Sequence, residues 1–158
     1  WSILVKALLN IALIAIISLT TTYSGSVGSG VGIVRLNLST AFNAFEQLRT
    51  TDSLVYSLDI HKQLYRKSVE EINKSYLEIQ ASAPSKENFE VSHAFASAAF
   101  LRIRDLKAAG QIGYKSSEAR IMFTFAIRIL KDSVARLHQL KNQTEQQDLF
   151  KSLYSDQN

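Results

Sequence analysis

The side chains of this chain that could do chemistry are three histidines, 14 carboxylates and 18 lysines and arginines, with no cysteine. The missing thiol removes disulfides, cysteine nucleophiles and cysteine-held zinc or iron–sulfur clusters together. His61, His93 and His138 stand far apart along the chain. None has a second histidine or a carboxylate at the four-residue spacing that presents two ligands to one zinc ion from a helix. Glu70 and Glu71 are neighbours, so on a helix they point roughly 100° apart and do not form an acid/base pair by themselves. The run Gly28-Ser29-Gly30-Val31-Gly32-Ile33 lacks the last glycine of the dinucleotide fingerprint, and no Gly-Lys-Ser/Thr follows it. The expectation is a protein that is not an enzyme and holds neither metal nor cofactor. Asn37, Asn73 and Asn142 each open a glycosylation triplet, which in a chain rich in serine and threonine is read as chance.

Charge is unevenly distributed. Residues 99–141 carry nine lysines and arginines against Asp105, Glu118 and Asp132, a local net of +6 in a chain whose formal net charge is +4. Such a face attracts anionic headgroups or acidic partners, and its plainer reading is a solvated side of two neighbouring helices. No aromatic-interleaved basic motif or known binding module accompanies it, so nucleic acid is not expected as a partner.

The elements that would position these groups are helices. With 158 residues, 46% of them hydrophobic, and Pro84 as the sole proline, the chain suits one all-α domain better than a sandwich of many turns. Residues 7–34 contain no formal charge, and as a helix they would extend about 42 Å at ~1.5 Å per residue. Ala7, Leu8, Leu9, Ile11, Leu13, Ile14, Ile16, Ile17 and Leu19 make the first part of that run the most apolar. It is expected to be a single membrane-spanning helix centred on residues 11–24, with Trp1 and Tyr23 as interfacial aromatics. Lys6 in front of it favours a cytoplasmic N-terminus and an extracytoplasmic bundle. A cleavable leader and a buried core helix are the competing readings. Ser24, Gly28 and Gly32 recur every four residues and would give a close-packing face between helices. The same glycine-rich stretch also reads as a flexible linker, because each glycine costs a helix about 1 kcal/mol.

From residue 34 onward apolar positions fall at helical spacing. Leu38, Ala41, Phe45 and Leu48 mark a first helix. Leu58, Tyr65, Ile72 and Ile79, seven apart, mark a second helix over about 52–83, with Asp52 as its N-cap and Pro84 as its stop. Val91, Phe95, Ala99, Ile103 and Leu106 mark a third that ends at Gly110, made thin by Ala94, Ala96, Ala98 and Ala99. Phe123, Ile127, Leu130, Val134 and Leu137 mark a fourth that begins at Ser116-Ser117-Glu118. Stripes of this kind are buried by packing on one another, so residues 34–143 are expected to form an antiparallel bundle of about four helices. No repeat of solenoid period is seen. Residues 144–158 are polar and read as a tail or a short docking helix, with Leu149, Phe150, Leu153 and Tyr154 as its apolar contacts.

This layout, a hydrophobic N-terminal helix before amphipathic ones, resembles the membrane-anchored helical domains of bacterial envelope-complex subunits. It resembles less closely the ligand-binding bundles of transmembrane chemoreceptors and sensor kinases. The first resemblance implies a non-enzymatic subunit whose partners are the lipid bilayer and other protein chains, in a homo- or hetero-oligomer. The second implies a sensory bundle that takes a small ligand. A membrane-inserting or pore-forming helical protein is the third possibility.

Overall fold

The computed structural model describes residues 27–156 together with Ile3 and Lys6. Its elements are α1 (Val27–Thr50), β1 (Leu54–Tyr56), α2 (Asp59–Glu78), α3 (Lys86–Ala108), β2 (Ile112–Tyr114) and α4 (Ser117–Ser155). Each helix runs antiparallel to its two neighbours. Phe45 near the end of α1 meets Tyr65 near the start of α2, and Ser75 late in α2 meets Ser92 early in α3. His93 early in α3 meets His138 late in α4, and Asn37 of α1 meets Asp132 of α4. The result is an all-helical bundle with a small antiparallel sheet, β1 on β2, closing one end.

The two halves of the bundle are the same structure written twice. Residues 31–79 correspond to residues 89–137 at a constant offset of 58 positions (52 to 110). The ladder pairs Leu54 with Tyr114, Val55 with Gly113 and Tyr56 with Ile112, so a pseudo-twofold axis passes through the Val55–Gly113 pair. Outside the ladder the hydrogen bonds also come in matched pairs. Ser57 N–H donates to the Gln111 carbonyl at 3.1 Å and Lys115 N–H to the Ser53 carbonyl at 3.0 Å. Ser53 N–H reaches the Leu48 carbonyl at 3.0 Å, as Gln111 N–H reaches that of Leu106 at 2.9 Å. Fully buried Phe45, Tyr65, Ile72 and Ile79 are answered by fully buried Ile103, Phe123, Leu130 and Leu137.

This duplicated turn explains where the chain departs from its periodicity. The second helix does not start at Asp52. Residues 52–58 form a turn and strand, Asp52 adopts φ 52°, and Leu58 is the extended N-cap of α2, 62% exposed rather than a core member. Gly110 takes the equivalent left-handed position at φ 68°, where a side chain costs roughly 1–2 kcal/mol. α2 ends at Glu78, six residues before Pro84, and Ser85 begins α3 with a capping box to Asn88. Along α3 the buried positions are Phe89, Ser92, Ala96, Ala99, Ile103 and Leu106. Val91 and Phe95, expected in the core, are half-buried. Ser116 caps α4 by accepting from Ala119 N–H; of the expected seam Phe123, Leu130 and Leu137 are fully buried, while Ile127 and Val134 are half-buried.

The linker reading fails for residues 27–32, which are the opening turns of α1, with Val31 and Val34 in the core. Close packing there falls to Gly30, whose Cα side lies against Leu140 so that an added Cβ would stand 3.0 Å from Leu140 Cδ2. Gly32 points outward, with open space where a Cβ would be. Ala7, Leu8, Leu9, Ile11, Leu13, Ile14, Ile16, Ile17, Leu19 and Ser24 lie outside the described residues. Ile3 lies within them, its carbonyl accepting from Gln47 Nε2 at 3.5 Å beside the sheet end of α1. Among the described residues, no helix is long and apolar enough to cross a membrane.

Candidate functional site

The last helix does not stop where the bundle stops. Leu140 is the last buried residue of α4, yet the helix continues to Ser155, and every residue from Glu145 to Ser155 is exposed. Those 11 residues project about 16 Å at ~1.5 Å per residue. A free peptide of that length is at best marginally helical, so the bundle supplies the order. The root of the projection is pinned by Lys86 Nζ, which sits 2.7 Å from Glu145 Oε1 and bridges the start of α3 to α4. On the projecting part, Leu149, Phe150, Leu153 and Tyr154 are 63, 60, 61 and 58% exposed. The rings of Phe150 and Tyr154, one helical turn apart, lie 4.4 Å centroid to centroid. The sequence reads as a polar tail or a short docking helix carrying these four residues. They stand instead on a continuation of the fourth bundle helix, all four open to solvent.

At the other end of the bundle, Tyr56, Tyr65, Phe45, Phe123 and Tyr114 form a continuous chain of rings, with neighbouring centroids 5.4–6.1 Å apart. Tyr65 donates its hydroxyl to the Phe45 carbonyl at 2.6 Å in the buried centre. Burial pushes the Tyr65 phenol well above its ordinary range, and that of Tyr56 up to about 12. Neither phenol is therefore an acid near neutral pH. Beside this chain lie two grooves, which share under the 58-residue offset only the position of Arg49 with Lys107 and that of Arg66 with Thr124. The one between α1 and α2, about 430 Å³, is lined by Phe42, Glu46, Arg49, Arg66, Glu70 and Leu77 among others. Its charges are matched: Glu46 and Arg49 form a two-pronged pair at 2.5 and 2.9 Å, which holds the Glu46 carboxyl below its usual range, and Arg66 faces Glu70 at 3.4 Å. The other, about 470 Å³, lies between α3 and α4 and is lined by Lys107, Tyr114, Arg120, Ile121, Thr124 and Phe125.

Two arrangements were not legible in the spacing of the residues. His93 and His138, 45 positions apart, meet across α3 and α4 with ring centroids 5.6 Å apart. Burial first, then the charges of His138 and Lys141, lower the His93 pKa below the ordinary 6.5. Among the described residues, no group of three or more metal-ligating side chains converges, and His61 lies apart with its Nδ1 buried and lacking a hydrogen-bond partner. The second arrangement is a set of polar ties between helices. Arg102 bridges Glu71 at 2.8 Å and also donates to Ser68, while Asn37 of α1 donates to Asp132, which also accepts from Arg136 at 2.6 Å. The Asn37–Asp132 contact has a counterpart in the other half, where Lys74 lies 5.7 Å from the centre of the Phe95 ring. Only one basic residue of the +6 stretch, Arg136, is buried.

Compared with known protein families, with curated proteins and with solved structures, the chain matches none.

Proposed function

We propose that the protein is a non-enzymatic helical assembly subunit: the duplicated bundle is its body, and the projecting part of α4 docks on another protein chain. The observation that carries this reading is the exposure of Leu149, Phe150, Leu153 and Tyr154 on a helix that outruns its own bundle. Burying a large apolar side chain is worth roughly 1.5–3 kcal/mol. Four of them on one helical turn and its neighbour therefore make a natural anchor for a complementary groove or helix. Polar Gln146, Gln147 and Lys151 flank the anchors and suit the rim of such a contact.

The membrane part of the proposal rests on the sequence. With residues 27–34 counted into α1, residues 7–26 remain as 20 consecutive uncharged positions, the length of one span. The N-terminus of α1 and the C-terminal part of α4 leave the bundle at the same end, since Gly30 packs on Leu140.

The test is native-gel and sedimentation analysis of the protein extracted from its source cells with and without detergent. The reading expects retention in the membrane pellet through an alkaline wash, and a detergent-extracted particle larger than the 17.7 kDa monomer. Release as a free monomer refutes it.

A further inference from the structure

The pseudo-twofold supplies a comparison, because Arg49 of the α1–α2 groove and Lys107 of the α3–α4 groove hold equivalent positions and their surroundings differ. In the α1–α2 groove Arg49 is clamped by Glu46, three positions before it. In the α3–α4 groove the equivalent cation is Lys107, and the position three before it holds Arg104, so the acidic clamp is replaced by a further cation. Arg104 itself pairs with Asp105 at 3.1 Å. Lys107 makes no ion pair among the described residues and rests with its Nζ 5.8 Å from the centre of the Phe123 ring. Across the groove Arg120 likewise makes no ion pair there, and both side chains are exposed. Tyr114 lines the same groove, and its hydroxyl is covered and has no hydrogen-bond partner. Its counterpart Tyr56 leaves no such orphan among the described residues. A buried hydroxyl without a partner is costly and calls for a missing acceptor. Ile121 and Phe125 give the same groove an apolar wall.

We infer that the α3–α4 groove binds a small organic anion: its carboxylate or phosphate oxygens sit between Lys107 and Arg120 and accept from the Tyr114 hydroxyl, and its apolar body lies on Ile121 and Phe125. Two charge-assisted contacts and one phenol donor recognise an oxyanion, not a halide. Binding in this way requires exposed side chains of the groove to move off the covered Tyr114 hydroxyl. In the α1–α2 groove Glu46 answers Arg49, Glu70 faces Arg66 and Lys74 lies over the Phe95 ring, so the two carboxylates of its lining disfavour such a molecule. This site is independent of the docking helix, which projects from the opposite end of the bundle.

The experiment is calorimetric titration of the full chain, at constant ionic strength set with sodium chloride, with benzoate and with phenyl phosphate as separate probes. The inference expects saturable binding of at least one probe with a dissociation constant of about 1 mM or below. Arg120→Gln is expected to weaken it about tenfold or more, and Tyr114→Phe about threefold to tenfold, with unchanged helicity by circular dichroism. Arg104→Glu, which installs the clamp of the other groove, is expected to abolish binding. Arg49→Gln is expected to leave it unchanged. Absence of saturation by either probe, an affinity that follows only ionic strength, or an Arg49→Gln loss as large as that of Arg120→Gln would each overturn the inference.

Discussion

Val55 faces Gly113 across the two-stranded sheet, and each is the other's equivalent in the duplicated half. That self-matching pair fixes the antiparallel register and, with it, the placement of all four helices, because each strand connects two of them through three or fewer residues on either side. The turns that feed the strands should therefore govern stability more than their exposure suggests.

The two left-handed turn residues provide the first prediction. At Gly110 an added Cβ would meet nothing within 4 Å, so Gly110→Ala should cost only the backbone penalty of roughly 1–2 kcal/mol. Asp52→Gly relieves the same penalty in the other half but gives up the ion pair in which Lys115 Nζ lies 2.7 Å from the carboxylate. An exposed pair of that kind contributes little, so the variant should be neutral or slightly more stable. Urea denaturation of both variants checks that only Gly110→Ala is destabilised, and a stabilised Gly110→Ala would contradict the assignment.

The buried centre provides the second. Tyr65→Phe should lose about 1 kcal/mol, the net worth of its hydroxyl bond to the Phe45 carbonyl, without disturbing the packing, since a phenylalanine, Phe123, already fills the equivalent position. Phe45→Ala, which empties the middle of the ring chain, should cost about 3–5 kcal/mol. If thermal melts ranked the two in the reverse order, the ring chain would not be the core of the sheet end.

How much of this was legible in the sequence differs element by element. Tyr65, Ile72 and Ile79 were placed in the core by their sevenfold spacing because a helix repeats its buried face on that period, and the structure agrees. Leu58 shares the spacing but not the helix. Residues 52–57 contain neither glycine nor proline, so nothing marked the turn, and a three-residue strand is too short to show alternation. The signal that existed was comparative: the unmarked turn has a twin with glycines at Gly110 and Gly113, and only the three-dimensional pairing brings the two into register. The His93–His138 contact was illegible for a related reason, because it depends on which helix lies beside which. Leu149, Phe150, Leu153 and Tyr154 were found because they form an apolar cluster in a polar tail, but that they lie on a continuation of α4 follows from the helix running on unbroken past Leu140.

The histidine pair gives a pH dependence. The folded-state pKa of His93 is lowered, so the unfolded chain binds the proton first as pH falls, near the ordinary value of about 6.5. Stability contributed by neutral His93 is complete above that value, declines as pH drops through it, and levels off below the lowered folded-state pKa. Denaturation midpoints measured between pH 7.5 and 5 should fall, and His93→Gln should flatten the part of the slope that His93 supplies. An unchanged slope in that variant would assign the pH response to other groups.

The projecting helix gives a prediction that separates function from folding. Leu149→Ser combined with Leu153→Ser changes only exposed positions, so the melting temperature should stay within about 2 °C, the range expected of surface substitutions. The same change should dissolve the extracted assembly. Loss of the fold instead would mean that these leucines pack within the chain.

The central claim is that the end of α4 is a dock, and hydrogen exchange over its backbone amides tests it most directly. In the isolated chain, amides of residues 146–155 should exchange far faster than those of residues 119–137 on the same helix, since only the latter lie on the bundle. In the extracted assembly, residues 146–155 should become protected, and the Leu149→Ser, Leu153→Ser double variant should remove that protection. Equal, rapid exchange of residues 146–155 in the isolated chain and in the extracted material would contradict the account.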